Sequence, residues 1–348
     1  MTREREGAYD WRRICKGTRV TRCLFKGIAV VGLTLAAVLG AVQTALAQAW
    51  EPRKTVEIVV GADPGGALDI TARLLQNIWR DKKILDGIVL NKPGAGNAIA
   101  WTYLNQFPGD ASHIAIATPN LFTNQLMGIS PLTYRDVTPL AVMLTEYIVV
   151  IVRADSPLKS MRDVAAPLRK DPGALSIGMS PGQGSPAYTA AGIALKEAGV
   201  DAKNMRLVVY KAASAVITAL LSNDIDLAFV AAPNVPPLLG AGRIRAIAIS
   251  SGSRVGGELA GVPTFREQGI DAVYENWRGL VGPKDLKPEQ IAYWENVIQQ
   301  ALKTPDWQKA LEKNGWGDRY MSNEQSKRFF DEQFAKYKAT YTDLGIAK

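Results

Sequence analysis

The sequence predicts an α/β protein of two lobes joined by two crossing strands. The first observation is an alternation of short apolar runs with helical patterns from Val56 onward, which is typical of parallel sheets with crossover helices. The second is a long apolar run at 147–156, after which the alternation begins again. The third is the run YENWRGLVGP at 274–283, which predicts a second crossing. Two crossings make the first lobe discontinuous and leave a cleft between the lobes.

Each lobe contains the elements of a layered α/β structure. Residues 48–148 and 276–348 are predicted to form the first lobe, and residues 149–275 the second. Apolar runs predict the strands, at 55–60, 87–91 and 113–118 in the first lobe and at 174–180, 205–210, 226–231 and 244–250 in the second. Helical patterns predict the helices, at 67–80, 97–107, 186–198, 213–222 and 287–303. The pattern SNEQ at 322–325 predicts the capping box of a last helix.

The N-terminal segment has the features of a secretory leader. Basic residues precede a long apolar run that ends in Ala-Leu-Ala at 45–47, a cleavage pattern just before Gln48. Residues 1–47 are therefore predicted to be a cleaved signal peptide, and the mature protein is expected in the periplasm. An uncleaved membrane anchor is the alternative, since residues 28–47 are just long enough to span a bilayer.

Removal of the leader changes both the charge and the cysteine content. The leader carries eight of the 41 Lys and Arg residues and three of the 33 Asp and Glu residues, so the mature chain has 33 against 30 and a net charge of +3. This balance provides no basic surface for nucleic acid. Both cysteines, Cys15 and Cys23, lie in the leader. Disulfides and cysteine-ligated metals are therefore excluded from the mature protein, and no metal or cofactor is expected.

The segment GMSPG at 178–182 matches the G-x-S-x-G pattern of a serine nucleophile, but the required chemistry is incomplete. The oxyanion hole needs the N–H group of the residue after the serine. That residue is Pro181, which has no N–H group. The single histidine, His113, comes before Ser180, whereas the usual order places it after the serine. An exported serine hydrolase is a remote alternative, and the protein is not expected to be an enzyme.

Two glycine-rich loops share part of their pattern with nucleotide-binding motifs. The loop GADPGGALD at 61–69 has no lysine to meet the phosphates, which a P-loop requires. The segment GAGNAIA at 94–100 matches only the first two glycines of the dinucleotide motif, because Ile99 occupies the third position. Neither loop is therefore predicted to bind a nucleotide.

Anion binding without catalysis is the function that the first loop favours. Free N–H groups at a helix start attract a negative group, and Gly65 and Gly66 allow it to approach the backbone. A carboxylate is expected at Gly66, Ala67 and their neighbours. Pro64 and Asp69 complete the predicted site. Asp69 is expected to cap loop N–H groups or to reach the ligand through water or a ligand amine.

Further loops at strand ends are rich in Ser, Thr, Asn and Gly and poor in Lys and Arg. This composition favours recognition of a small polar anion by neutral hydrogen-bond donors, without a charged clamp. If the two sheets face each other, all of these loops line one cleft. The predicted ligand-binding residues in them are Thr118, Asn120, Ser180, Gly182, Gly184, Ser185, Ser214 and Asn234.

Several segments in a fixed order point to one family. DPGGALDITAR resembles the pattern P-G-G-x-x-D-x-x-A-R, and NKPGAGNAIA resembles N-x-P-G-A-G. The segments that follow in the same order are YRDVTPLAVM, SPGQGS, GAGRIRAIAIS, SGSR, VPTFREQGI and ENWRGLVGP. Nearly the whole mature chain thus resembles the extracytoplasmic solute-binding receptors of the tripartite tricarboxylate transporter family, the Bug or TctC type. One departure is Ala212-Ala213, where the family has Gly-[Ser/Thr], so that hydroxyl is lost or shifted to Ser214.

The resemblance implies a periplasmic binding protein of the Venus-flytrap type, with a carboxylated ligand between its lobes. It implies that the loop Pro64–Asp69 grips one carboxylate and that the loop Gly182–Ser185 closes on it. Hinge closure is expected near 147–153 and 274–280. The expected function is a monomeric receptor that delivers a di- or tricarboxylate, an aromatic acid or a similar anion to a membrane permease. A ligand-dependent partner of a sensor protein is the alternative function.

Overall fold

The computed structural model describes residues 50–180, 182 and 184–348 of the chain. The predicted signal peptide, residues 1–47, and its cleavage site lie outside the described residues. Within the described part, no helix is both long enough and apolar enough to cross a membrane. Residues 51–348 cluster into one unit that contains two β-sheets.

The strands and helices follow the predicted alternation. The strands are β1 (Val56–Val60), β2 (Gly87–Asn91), β3 (His113–Ala117), β4 (Val137–Glu146), β5 (Ile148–Arg153), β6 (Ser176–Met179), β7 (Arg206–Val209), β8 (Leu227–Ala231), β9 (Ile244–Ile249), β10 (Asn276–Pro283) and β11 (Gly317–Met321). The α-helices are α1 (Ala67–Asp81), α2 (Ala98–Leu104), α3 (Asn120–Leu126), α4 (Met161–Lys170), α5 (Pro186–Glu197), α6 (Ala213–Leu221), α7 (Pro236–Gly240), α8 (Pro288–Leu302), α9 (Pro305–Asn314) and α10 (Asn323–Asp343). The predicted capping box is present, because Ser322 accepts from the N–H of Gln325 and Gln325 accepts from the N–H of Ser322.

The two sheets are mixed, and this differs from the mostly parallel sheets that the sequence pattern suggested. In the first sheet, of order β11-β4-β10-β3-β1-β2, β1 is parallel to β2 and β3, whereas β10 is antiparallel to β3 and β4. In the second sheet, of order β7-β6-β8-β5-β9, β6 is parallel to β7 and β8, whereas β5 is antiparallel to β8 and β9. The antiparallel pairs arise because the strands next to each crossing run against the βαβ strands.

The first crossing lies at a single residue, Tyr147. The predicted long strand at 147–156 is in fact the short β5, which ends at Arg153. The preceding strand, β4, belongs to the other sheet and was not predicted, although its residues 140–144 form a short apolar run. The crossing thus takes place between two strands and not within one.

Ser250 joins the two crossings. This buried side chain accepts a hydrogen bond from the Ile148 N–H at 3.0 Å and donates one to the Tyr274 carbonyl at 2.7 Å. The two chain segments that connect the sheets are therefore held side by side. The lobe boundaries at 148/149 and 275/276 stay a prediction, because both sheets belong to one unit.

Helix α10 packs against elements of both sheets. Near its start, the ring of Phe330 lies 4.8 Å from Trp277 of β10 and 5.4 Å from Phe122 of α3, centroid to centroid. Near its end, the Tyr341 hydroxyl lies 2.8 Å from the Thr189 hydroxyl of α5. One buried apolar core therefore runs along α10 from the first sheet to the second.

Gly279 allows the close approach of β10 and β4 and provides a test of this packing. A Cβ atom on Gly279 would lie 2.4 Å from the Ala141 carbonyl oxygen. We expect Gly279→Ala to lower the free energy of unfolding by about 1–3 kcal/mol, because the strands must move apart. Urea unfolding measures the change. Gly252→Ala is the control, since its Cβ would meet nothing closer than 3.9 Å, and equal losses in both variants would contradict the packing argument.

Candidate functional site

The loop between β1 and α1 is shaped by hydrogen bonds within itself. Gly65 has a φ angle of +80°, in the left-handed region that glycine tolerates best. Its N–H donates to the Asp69 carboxylate at 2.8 Å, and the Gly66 N–H donates to the Asp63 carbonyl at 3.0 Å. The N–H groups of both glycines are therefore used inside the loop.

Asp69 is the internal anchor of this loop. The residue is only 2% exposed and accepts three hydrogen bonds, from the Gly65 N–H, from Arg73 Nε at 2.8 Å and from Asn91 Nδ2 at 2.9 Å. Burial by itself would raise the pKa of Asp69, but the hydrogen bonds from Arg73, Gly65 and Asn91 outweigh it and hold the pKa below its ordinary value of 3.8. Of the two roles expected for Asp69, the geometry favours the capping of loop N–H groups.

The free donors at this helix start lie one residue further along than expected. The N–H groups of Ala67 and Leu68, in the first turn of α1, have no acceptor among the described residues. Ala67 is exposed and Gly66, beside it, is half-buried. The N–H groups of Ala67 and Leu68 could therefore donate hydrogen bonds to a carboxylate, whereas the Gly66 N–H already donates to Asp63.

A second group of predicted residues lies at the end of β3. The Thr118 hydroxyl accepts from the Asn120 N–H at 3.3 Å and from Asn97 Nδ2 at 3.2 Å. Asn120 Nδ2 in turn donates to the Gly96 carbonyl at 3.4 Å. Asn97 packs against the end of β1, because a Cβ on Gly61 would lie 2.5 Å from its own Cβ. The network thus adjoins the first residue of the β1–α1 loop.

Asn97 belongs to a strained segment that the sequence reasoning did not include in the site. Four consecutive residues, Gly94–Asn97, have positive φ angles of 125°, 45°, 59° and 77°. Two of them are not glycine, and such conformations cost of order 1–3 kcal/mol each where the surroundings enforce them. The signal was the GAGN sequence itself, which matches the dinucleotide motif only in part and belongs to the family pattern N-x-P-G-A-G, but no binding role was assigned to it.

The described residues Ser180, Gly182, Gly184 and Ser185 precede α5. Ser185 caps this helix, since its hydroxyl accepts from the Tyr188 N–H at 3.2 Å. Gly182 and Gly184 have φ angles of +132° and +78°. A Cβ on Gly184 would lie 2.7 Å from Met127 Sδ, directly after α3. This loop of the second sheet therefore contacts the first-sheet side of the molecule.

A cavity of about 100 Å³ lies beside the first crossing. Ser180 and Asn234 line it, so the structure brings together two of the predicted residues. Ser214, which is exposed on α6, does not line the cavity, although the neighbouring Ala213 lines it. The remaining lining residues are Glu146, Ile148, Pro186, Ala187, Val216, Phe229, Val230, Ala231 and Asn276. Glu146 and Asn276 come from the first sheet, so residues of both sheets form the wall.

A buried ion pair connects this cavity to α1. Arg278, 2% exposed, lies with Nη2 3.3 Å from Glu146 Oε1 and with Nη1 3.2 Å from the Thr71 hydroxyl. Thr71 donates to the Ala67 carbonyl at 3.0 Å, and Asn276 Nδ2 donates to Glu146 Oε2 at 3.0 Å. Burial lowers the pKa of Arg278 from its ordinary value and the Glu146 carboxylate opposes this, but a guanidinium keeps its charge in proteins.

The ion pair was missed by the sequence reasoning, which expected neutral donors alone. Its signal was present, because Arg278 stands among apolar residues in the segment 274–283, which is predicted to be the second crossing strand. A charge at such a position needs a partner. The partner, Glu146, is 132 residues away in sequence, so only the pairing of β4 with β10 identifies it.

The hydrolase alternative finds no support near Ser180. His113 stacks on Phe107 with 3.7 Å between ring centroids and has its Nδ1 3.5 Å from Asp110 Oδ2. It is not among the residues that line the cavity with Ser180. In the part of the chain that the structure describes, no group of three His, Cys, Asp or Glu residues is placed to hold a metal ion.

Comparison with known proteins identifies similar chains. The family profile "Tripartite tricarboxylate transporter family receptor" matches residues 71–346, beginning within α1. A UPF0065 protein from the gbd 5′ region of Cupriavidus necator is 30% identical over 301 residues, which is 85% of this chain and 89% of the relative.

Solved structures with the same fold include a solute-binding protein and a second protein that was solved with a dicarboxylate. A TctC solute-binding protein from Polaromonas, solved without ligand, has a TM-score of 0.76 at 25% identity and covers 85% of this chain and 100% of its own. The R. palustris protein Rpa4515, solved with adipate, has a TM-score of 0.68 at 24% identity, with coverage of 85% and 99%. The second similarity concerns the fold alone.

The anchoring of the loop by Asp69 predicts a pH-dependent loss of stability. At pH 7, Asp69→Asn should lower the free energy of unfolding by about 1–3 kcal/mol, because buried donors lose a charged acceptor. The pKa of Asp69 is lowered in the folded state, so its contribution is present above about 3.8 and is lost as the pH falls through the folded-state pKa. Urea unfolding between pH 3 and pH 7 should show the gap to the wild type narrowing at the acidic end.

Asp63→Asn is the matched control for this measurement. Asp63 is an exposed carboxylate in the same loop, and its substitution should change stability by no more than about 0.5 kcal/mol at any pH. The anchoring role is wrong if Asp69→Asn is as stable as the wild type at pH 7, or if its loss is the same at every pH.

Proposed function

Because the chain belongs to the tripartite tricarboxylate transporter receptor family, whose members are periplasmic solute-binding receptors, we propose that it captures a small organic carboxylate between its lobes. It delivers this ligand to the membrane subunits of a tripartite transporter. The protein acts without a chemical step on its ligand. It reaches the periplasm through the leader at 1–47, which is cleaved near Ala47.

The observation that carries this function is the cavity beside the crossing. Its wall combines Glu146 and Asn276 from the first sheet with residues that end strands or begin helices of the second. A hydrogen-bonded path leads from Glu146 through Arg278 and Thr71 to the first turn of α1. A ligand held between α1 and the cavity would therefore touch both sheets, which a receptor that closes around its ligand requires.

The first turn of α1 provides the carboxylate site. The free N–H groups of Ala67 and Leu68 point outward from the helix start, where the helix dipole favours a negative charge. The buried Arg278 guanidinium lies one helical turn behind them and adds a fixed positive charge. Such preorganised donors interact more strongly with an anion once closure has removed water.

The second loop, Gly182–Ser185, closes the site from the other side. Its glycines adopt positive φ angles that bring the backbone near the ligand. Closure takes place by rotation about the two crossings, near Tyr147 and Asn276, where Ser250 holds the two segments together. The lobes meet at boundaries 148/149 and 275/276.

The choice of test ligands follows the family and its fold. The relative from R. palustris was solved with adipate. A panel of mono-, di- and tricarboxylates, aromatic acids and amino acids therefore covers the proposed class. Isothermal titration should find at least one member that binds, and the thermal midpoint should rise with the same compound. If no member binds to the folded protein, the proposed function is wrong.

Ala67→Pro tests whether the N–H group of residue 67 binds the carboxylate. Proline is tolerated at the first position of a helix, so the substitution removes one N–H donor and leaves α1 in place. The conformation of Gly66, with φ −70° and ψ 163°, suits a residue before proline. We expect the affinity for the best ligand to fall about ten- to a hundredfold, as for the loss of a hydrogen bond to a charged group.

Ala67→Ser is the control, because it keeps the N–H group and adds a side chain of similar size. Its affinity should remain close to that of the wild type. Isothermal titration of both variants, after circular dichroism has shown that they are folded, compares them. An unchanged affinity in Ala67→Pro would place the carboxylate elsewhere.

A further inference from the structure

The cavity beside the crossing has an apolar wall and one acidic corner. Ile148, Val216 and Phe229 provide apolar surface. In the corner, Asn276 Nδ2 donates to Glu146 Oε2 at 3.0 Å, and both residues line the cavity. A ligand group that reaches this corner meets a carboxylate that is 9% exposed and held in place.

The cation that balances Glu146 lies on the side away from the cavity. Arg278 is not among the lining residues, and its Nη1 donates to Thr71 on α1 while Nη2 faces Glu146. The ion pair therefore presents its positive end to the first turn of α1 and its negative end to the cavity. This polarity favours one orientation of a bound ligand, with its carboxylate toward α1 and its other end toward the cavity.

We infer that Glu146 determines specificity, so that the receptor takes carboxylates whose far end is apolar or donates a hydrogen bond, and discriminates against dicarboxylates of the same length. This inference rests on the proposed function, because it assumes that one carboxylate binds at the start of α1. A second carboxylate in the corner lies next to a like charge in a site of low dielectric. An ammonium or hydroxyl group there gains an acceptor instead, and an alkyl end contacts the apolar wall.

The small cavity selects short ligands for the test. Matched sets of four, five and six carbons contain an alkyl acid, the α,ω-dicarboxylate and the ω-amino acid: butanoate, succinate and 4-aminobutanoate, with their longer counterparts. Isothermal titration at pH 7 gives the affinity of each compound for the full mature protein. At the best chain length, the dicarboxylate should bind at least about tenfold more weakly than the tighter of its two partners.

The outcomes separate the inference from the function on which it rests. A dicarboxylate that binds as tightly as its partners, or more tightly, overturns the inference and leaves the carboxylate receptor standing. If none of the nine compounds binds, and the wider panel of acids fails as well, the proposed function and the inference are both wrong. If only an aromatic or tricarboxylic acid from the wider panel binds, the inference alone is overturned.

Glu146→Gln tests the residue itself, because it removes the charge and keeps the shape. The readout is the ratio of the dicarboxylate affinity to the alkyl-acid affinity, which should rise at least about tenfold in the variant. Glu275→Gln is the control. Glu275 is a neighbour of Asn276, but it pairs with Arg319 at 3.3 Å and does not line the cavity. Its ratio should equal that of the wild type.

Loss of Glu146 leaves Arg278 buried without its partner, which can prevent folding. The double variant Glu146→Gln/Arg278→Met removes both charges, and the same ratio is measured in it. A ratio that stays at the wild-type value in whichever variant folds, as judged by circular dichroism, overturns the assignment of Glu146. In the wild type, the matched sets decide the inference without any variant.

Discussion

The buried ion pair between Arg278 and Glu146 is the interaction on which the arrangement of the site depends. Removing two charges from water is costly, and the cost is offset only where geometry and further hydrogen bonds are favourable. Both conditions are met here, because Asn276 donates to the carboxylate and Thr71 accepts from the guanidinium. Since Arg278 belongs to β10 and Glu146 ends β4, the pair holds together the two strands that lead to the crossings.

The same pair connects two places that would otherwise be independent. One end reaches the Ala67 carbonyl through Thr71, and the other reaches the cavity wall at Glu146. The position of the α1 first turn is therefore coupled to the crossing about which the lobes are proposed to rotate. A charged group is suited to this task, because it cannot shift without losing several hydrogen bonds at once.

The β1–α1 loop shows how an acidic residue can belong to a proposed anion site. Asp69 would repel a carboxylate if it faced the ligand. Instead it is buried, and its oxygens are engaged by Gly65, Arg73 and Asn91. The N–H groups of Gly65 and Gly66 are therefore used to hold the shape of the loop, whereas those of Ala67 and Leu68 have no acceptor among the described residues. Different residues of one short segment thus hold the loop in shape and provide its free N–H donors.

Much of the fold was predictable from local patterns. β2 has the predicted bounds, and α1, α5 and α8 differ from theirs by a residue or so, because periodicity and capping act over a few residues. β4 was not predicted, since its apolar run covers only residues 140–144 and its partners, β10 and β11, come more than a hundred residues later. The strain at Gly94–Asn97 likewise depends on contacts with Gly61 and Asn124.

The sequence by itself determined the α/β alternation, the two crossings, the glycine loops and the similarity to a receptor family. These are properties of short segments and of their order. The tertiary structure alone decided which N–H groups remain free, that Asp69 faces inward, and that Arg278 and Glu146 meet beside the cavity. The physical reason is that each of these facts is a pairing, and a pairing of buried polar groups exists only once the strands and helices that carry them are packed.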